Sequence, residues 1–118
     1  GNLQEECRRL IRISDVEKAV SEAFGVTAAE LRSASRRKAL AIPRAIAMFL
    51  SRRLTNSAYR EIGAWFGGRD HSTVVAAEKR VAAQVSAGDV PGLPTLTTCR
   101  SMAELIEHLE RQVTSMAS

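Results

Sequence analysis

Residues 57–74 read SAYREIGAWFGGRDHSTV, and the fold turns on how their apolar and turn-forming positions are spaced. Tyr59, Ile62 and Phe66 recur at three- and four-residue steps, which places them on one side of a short helix, and Gly67 and Gly68 then end it. A second helix follows almost at once, with Val74, Ala77, Val81 and Val85 repeating the same steps. Two helices joined by about four residues that include glycine make a helix-turn-helix candidate.

The polar cluster at the second helix start invites several chemistries. Asp70, His71 and Ser72 are the residue types of a hydrolase triad, but neighbours one or two apart on a helix point in different directions and cannot share the required hydrogen bonds. A metal site is disfavoured, because His108 is the only other histidine and no Cys or carboxylate stands at ligand spacing around His71. The glycine pair lacks the following Lys-Ser or Lys-Thr of a phosphate-cradling loop. Asp70 is placed to cap the second helix by accepting from the N–H of Ser72 or Thr73. Capping leaves Arg69, His71 and Thr73 unexplained. A helix-turn-helix presents this same turn to base edges and phosphates in a major groove, and the helix dipole adds attraction for an anion.

Composition agrees with a small all-α protein. The chain has 118 residues, 45% of them apolar but only 4% aromatic, a balance suited to closely packed helices. That length suits one domain able to bury a modest core. Cys7 and Cys99 stand far apart without a secretory leader, so a reducing, cytoplasmic setting is expected, and no apolar run approaches the roughly 18 residues of a membrane span. Net charge is +4, and it is unevenly spread. Between Leu31 and Arg60 lie eight basic residues and no acidic one, while the rest of the chain holds nine basic and all thirteen acidic residues. Such a concentrated cation implies an anionic partner, most commonly a polyphosphate backbone, and otherwise a solvated basic face.

Outward from the centre, ISDVEKAVSEAF carries Ile13, Val16, Val20 and Phe24 at helical spacing. Ser14 and Glu17 read as its capping box and Gly25 as its stop, so a helix is expected over about 15 to 24. Thr27 and Glu30 form a second capping box ahead of a short helix through Leu31, and SASRRK reads as a basic loop. Pro43 fits the first turn of the next helix, whose Ile46, Leu50 and Leu54 mark one buried stripe. Arg44, Arg52 and Arg53 then fall off that stripe, toward solvent or a partner. Gly88 to Thr98 is a loop by its glycines and prolines, and Ser101 with Glu104 caps a final helix that turns Met102, Leu105, Ile106, Leu109 and Val113 inward.

The run LTNSAYREIGAWFGGRDHSTVVAAEKRV, with the upstream ISDVEKAVSEAFGVTAAELRSASRRKALAIPRAIAMFLSRR, resembles the C-terminal DNA-binding domain of the bacterial replication initiator DnaA over roughly residues 11 to 85. The resemblance implies a helical domain with a helix-turn-helix like that of the Trp repressor, extended here by a C-terminal helix, and the DnaA box in duplex DNA as ligand. It implies a minor-groove contact at Arg36 with Lys38 beside it, base contacts at Asp70, His71 and Ser72, and phosphate contacts at Thr73, Arg44 and Arg52. Arg60 and Arg69 complete the expected DNA-binding set. Departures from the family pattern are Ala45, where a glutamine usually follows Pro-Arg, and Ala58, Tyr59 and Arg60 before EIG.

The expected organisation is a DNA-binding domain over residues 1–86, with residues 87–118 as a loop and helix packing on or extending it. No GxxxxGK[ST] occurs, so no catalytic residue, metal or cofactor is expected in this chain; ATP would belong to a separate ATPase domain. Double-stranded DNA is the expected partner, with no membrane and a nucleoid-associated, cytoplasmic monomer, joined in a full-length protein by an ATPase domain or replication proteins. Two alternatives remain open here: a DnaA-related module of a regulator or transposase-like protein, and a helical protein-interaction module with a basic face. The second rests on Leu105, Leu109 and Val113 being free to pack on another chain.

Overall fold

A computed structural model describes residues 11–33, 38–88 and 101–117. Among these residues there are six helices and no strand, as the alanine-rich composition favours: α1 (Ile13–Phe24), α2 (Ala28–Arg32), α3 (Lys38–Leu54), α4 (Tyr59–Trp65), α5 (His71–Ala87) and α6 (Met102–Ala117). The basic loop with Arg36 and the Pro91 and Pro94 stretch lie outside the described residues, as do both cysteines.

Helix α1 starts two residues earlier than its sequence signals indicate, and by a different device. The Arg12 N–H donates to the Asp15 carboxylate at 3.0 Å, so Asp15 occupies the box position. Glu17 lies instead on the Val16 and Val20 face and is buried. The Ser14–Glu17 box therefore gives way to packing: the stripe that buries Val16 and Val20 carries Glu17 inward with them. Gly25, at φ 69°, stops the helix where expected. At α2 the expected reciprocal cap forms, with Thr27 N–H donating to Glu30 at 2.8 Å and Glu30 N–H donating to the Thr27 hydroxyl at 3.0 Å.

Helix α3 is the axis of the fold. Every residue from Pro43 to Ser51 is buried, because α1, α2, α4, α5 and α6 all pack against it. A single stripe of Ile46, Leu50 and Leu54 would suit a surface helix; a helix enclosed on all sides needs small or apolar residues all round, which AIAMFLS supplies. Leu54, the last member of the expected stripe, is only half-buried. Pro43 also sits later than a first-turn proline, since α3 begins at Lys38; one intrahelical bond is forgone in exchange for a buried ring.

Helix α6 closes the core rather than standing off it. The Ser101 hydroxyl accepts from the Glu104 N–H at 3.2 Å, and Met102, Leu105, Ile106, Leu109 and Val113 are buried against α1, α3 and α5. Arg53 reaches across to Glu110 at 2.9 Å. The apolar residues on which an interaction module would depend are thus spent inside, each fully buried side chain contributing roughly 1.5–3 kcal/mol. Among the described residues no helix is long and apolar enough to cross a membrane.

Candidate nucleic-acid interface

Helices α4 and α5 pack directly on one another, and the turn between them is locked by backbone contact. The Arg69 N–H donates to the Gly63 carbonyl at 2.8 Å. A Cβ on Gly63 would stand 2.1 Å from the Arg69 carbonyl oxygen, so only glycine allows this approach. Gly67 and Gly68 take positive φ, 96° and 70°, and reverse the chain between the helices. The Arg69 guanidinium turns back and donates to the carbonyl oxygens of Phe66 and, at 3.4 Å, Ser33. Burial holds its pKa below the ordinary arginine range. Phe66 and Val74, both fully buried, pin the two ends of the turn. Farther along, the Tyr59 hydroxyl donates to Glu78 at 2.7 Å and fastens α4 to α5; this bond, ahead of burial, raises the Tyr59 pKa.

Asp70 caps α5 as the sequence indicates. Its Oδ1 accepts from the Thr73 hydroxyl at 2.8 Å and from the Thr73 N–H at 3.3 Å. These bonds, the side-chain one first, hold the Asp70 carboxyl below its usual pKa. Asp70, His71, Ser72 and Thr73 are all exposed, and the next residue, Val74, is buried. Four polar side chains therefore stand in solvent on a backbone anchored immediately behind them. His71 makes no hydrogen bond or ion pair among the described residues, which leaves both ring nitrogens available to a ligand.

The basic residues divide sharply. Arg44, expected to face solvent or a partner, points inward instead: it is 7% exposed and donates to the Leu31 and Glu30 carbonyls at 3.1 Å each. Both carbonyls lie in the last turn of the short helix α2, where the guanidinium adds to the bonds that Glu30 O already accepts from the Ser33 N–H at 3.2 Å and the Ser33 hydroxyl at 2.7 Å. Burial first, and the nearby Arg69 charge second, lower its pKa. Arg52 is exposed, as expected, but is steadied by stacking 4.2 Å above the Tyr59 ring and by donating to the Ser57 carbonyl at 2.9 Å. Arg60 is exposed and makes no ion pair among the described residues. Arg36 lies outside the described residues, and of Lys38 only its place at the start of α3 is described.

Two features escaped the sequence reading. Glu17 accepts from both Arg32 Nε at 2.7 Å and Arg32 Nη2 at 2.8 Å, and from Trp65 Nε1 at 3.1 Å, while the Arg32 guanidinium stacks 4.8 Å from the Trp65 ring centre. This cluster ties α1, α2 and α4 together and draws one cation out of the basic segment. Its signal was the position of Glu17 between Val16 and Val20 on the apolar stripe. The second feature is a cleft of about 250 Å³ between α3 and α5, lined by Arg44, Arg69, Thr73 and Arg80 among small and apolar residues. Among the described residues no three His, Cys, Asp or Glu side chains gather to hold a metal ion.

The family model for the bacterial DnaA protein helix-turn-helix matches residues 13–81. The chain is 51% identical over 71 residues to the chromosomal replication initiator protein DnaA of Geobacter sulfurreducens, a match covering 60% of this chain and 16% of that protein. It is 40% identical over 84 residues to the protein of the same name from Citrifermentans bemidjiense, covering 71% of this chain and 18% of that one. The chain thus spans less than a fifth of the length of these curated relatives.

Proposed function

The chain belongs to the bacterial DnaA helix-turn-helix family, a DNA-binding module, and from that premise we propose that it binds double-stranded DNA sequence-specifically at a DnaA-box-like site of a replication origin. The observation that carries this reading is the start of α5: Asp70, His71, Ser72 and Thr73 exposed together on a turn fixed by Gly63, Phe66 and Val74. Rigid donors and acceptors at a helix N-terminus are what major-groove readout needs.

In this reading α5 enters the major groove by its first turn. Asp70 accepts from a cytosine amino group, Ser72 meets a base edge or a thymine methyl, and Thr73 contacts a phosphate. The cap leaves Asp70 Oδ2 for a base, because both Thr73 bonds use Oδ1, and the Thr73 hydroxyl turns its one proton from Asp70 to the phosphate when DNA binds. Arg52 and Arg60 add phosphate contacts from the flank, and Arg36 with Lys38 reaches the adjacent minor groove, where a narrow A·T tract attracts arginine. Arg44 and Arg69 act from beneath, by holding the α2 end and the turn in place, and add positive potential without leaving their carbonyl partners. The chain does no chemistry of its own in this role; ATP belongs to the separate ATPase domain of the full-length relatives.

A module of this kind buries roughly 600–1,000 Å² on DNA. With about six phosphates neutralised, log affinity falls with log salt at a slope near −5. The test is a fluorescence-anisotropy titration of a DnaA-box duplex and a scrambled duplex at two salt concentrations. A tenfold or greater preference for the box is expected, reduced in the Asp70→Ala and Ser72→Ala variants. Equal affinity for the two duplexes would overturn sequence-specific reading at this helix start.

A further inference from the structure

We infer that Arg80 is a DNA-backbone contact, the outer arm of a phosphate seat formed between α3 and α5. This rests on the duplex-binding reading above and adds to it a residue outside the matched turn. Thr73, Ala76, Ala77 and Arg80 stand at positions i, i+3, i+4 and i+7, so they share one face of α5, and all four line the cleft against α3. The α3 wall brings Arg44, and the turn brings Arg69; no acidic residue lines the cleft.

The disposition of charge singles out Arg80 among the arginines of the cleft. Arg44 and Arg69 are committed to backbone carbonyls. Among the described residues elsewhere, Arg32 and Arg53 are ion-paired, held by Glu17 and Glu110. Arg80 is exposed and has no hydrogen bond or ion pair among the described residues. Glu78, the nearest acid on its own helix, is already engaged by the Tyr59 hydroxyl at 2.7 Å. Arg80 therefore has no internal partner to give up, among the described residues, on meeting a ligand.

Geometry indicates which part of the DNA that ligand is. Seven residues separate Thr73 from Arg80, about 10 Å of helix rise. A major groove is only about 8.5 Å deep. With α5 entering tip first and Thr73 already at a phosphate, Arg80 lies farther from the base edges than the groove is deep, on the backbone side. Ala76 and Ala77, lacking bulk, let the backbone approach the cleft mouth between Thr73 and Arg80. A contact at that height is blind to sequence and strengthens every site equally.

The experiment compares the full chain with Arg80→Ala, Arg80→Lys and Arg111→Ala by anisotropy on the box and scrambled duplexes from 50 to 200 mM salt. Arg80→Ala should weaken both duplexes by the same factor and make the salt slope shallower by about 0.9. The wild-type advantage at 50 mM then shrinks about three- to fourfold by 200 mM. Arg80→Lys should keep the slope. Arg111, exposed on α6 beside Leu54 at the far end of α3, should leave it unchanged. If Arg80→Ala keeps the wild-type slope while the wild type binds, the assignment of Arg80 fails alone. A loss of box preference confined to Arg80→Ala would also overturn it, by making the contact base-specific. If the wild type binds neither duplex, the duplex-binding reading fails and this inference with it.

Discussion

Replacing Arg44 separates a structural role from a DNA-contacting one more cleanly than any other substitution. Its guanidinium donates to the Leu31 and Glu30 carbonyls at 3.1 Å each, both at the C-terminal end of α2. A hydrogen bond from a charged donor contributes about 1.5–3 kcal/mol, and the Glu30 carbonyl keeps its bonds from the Ser33 N–H and hydroxyl when Arg44 is removed. The lower half of that range therefore applies to each of the two bonds lost, and Arg44→Ala should cost about 2–4 kcal/mol. For a domain near this size, 1 kcal/mol moves Tm by about 4–8 °C, which converts to a fall of roughly 10–30 °C. Urea unfolding followed by Trp65 fluorescence is the assay. Trp65 is the only tryptophan, and it touches Arg32 and Glu17, so it reports on the α2 region directly. Arg44→Lys should recover little, because an ammonium keeps the charge but cannot bridge two carbonyls as the fork does. A variant Arg44→Ala within about 0.5 kcal/mol of the wild type, yet weakened on DNA, would refute the reasoning and return Arg44 to direct phosphate contact.

Two further outcomes follow from the same geometry. Gly63→Ala must push the Arg69 carbonyl away from a Cβ at 2.1 Å, and overpacking of this kind costs about 1–3 kcal/mol; denaturant melts should show the loss, with box preference falling in the fraction still folded, and an unchanged midpoint would mean the turn is looser than drawn. Asp70 has its folded pKa depressed below 3.8, chiefly by the Thr73 bonds, so its contribution is present above the unfolded value and is lost as pH falls through the folded one. The stability difference between wild type and Asp70→Asn should therefore be flat above about pH 5 and change only below about pH 4; a change centred near neutrality would rule out this carboxylate as its source.

The local signals were legible because they need only neighbours in the chain. Three- and four-residue apolar steps, the Thr27–Glu30 and Ser101 caps and the Asp70 cap describe helices that the structure contains. The glycines at 25, 67, 68 and 88 stand where the chain turns, each at positive φ. What the sequence could not determine is which polar side chains the packing would turn inward. Glu17 and Arg44 have near-ideal local reasons to face solvent, as a cap and as an off-stripe cation, yet both are buried. Their partners lie 15 and 13 residues away, at Arg32 and Leu31, and exist only once α1, α2 and α3 have met. Periodicity says that a face is apolar, but only the assembled helices decide how wide the buried face is, and around α3 it is the whole circumference from Pro43 to Ser51. Sequence alone therefore determined the order of the helices and the polar tip of the reading turn. The tertiary structure decided which arginines remain for a ligand, because a guanidinium answers first to the carbonyls and carboxylates that packing brings within its reach.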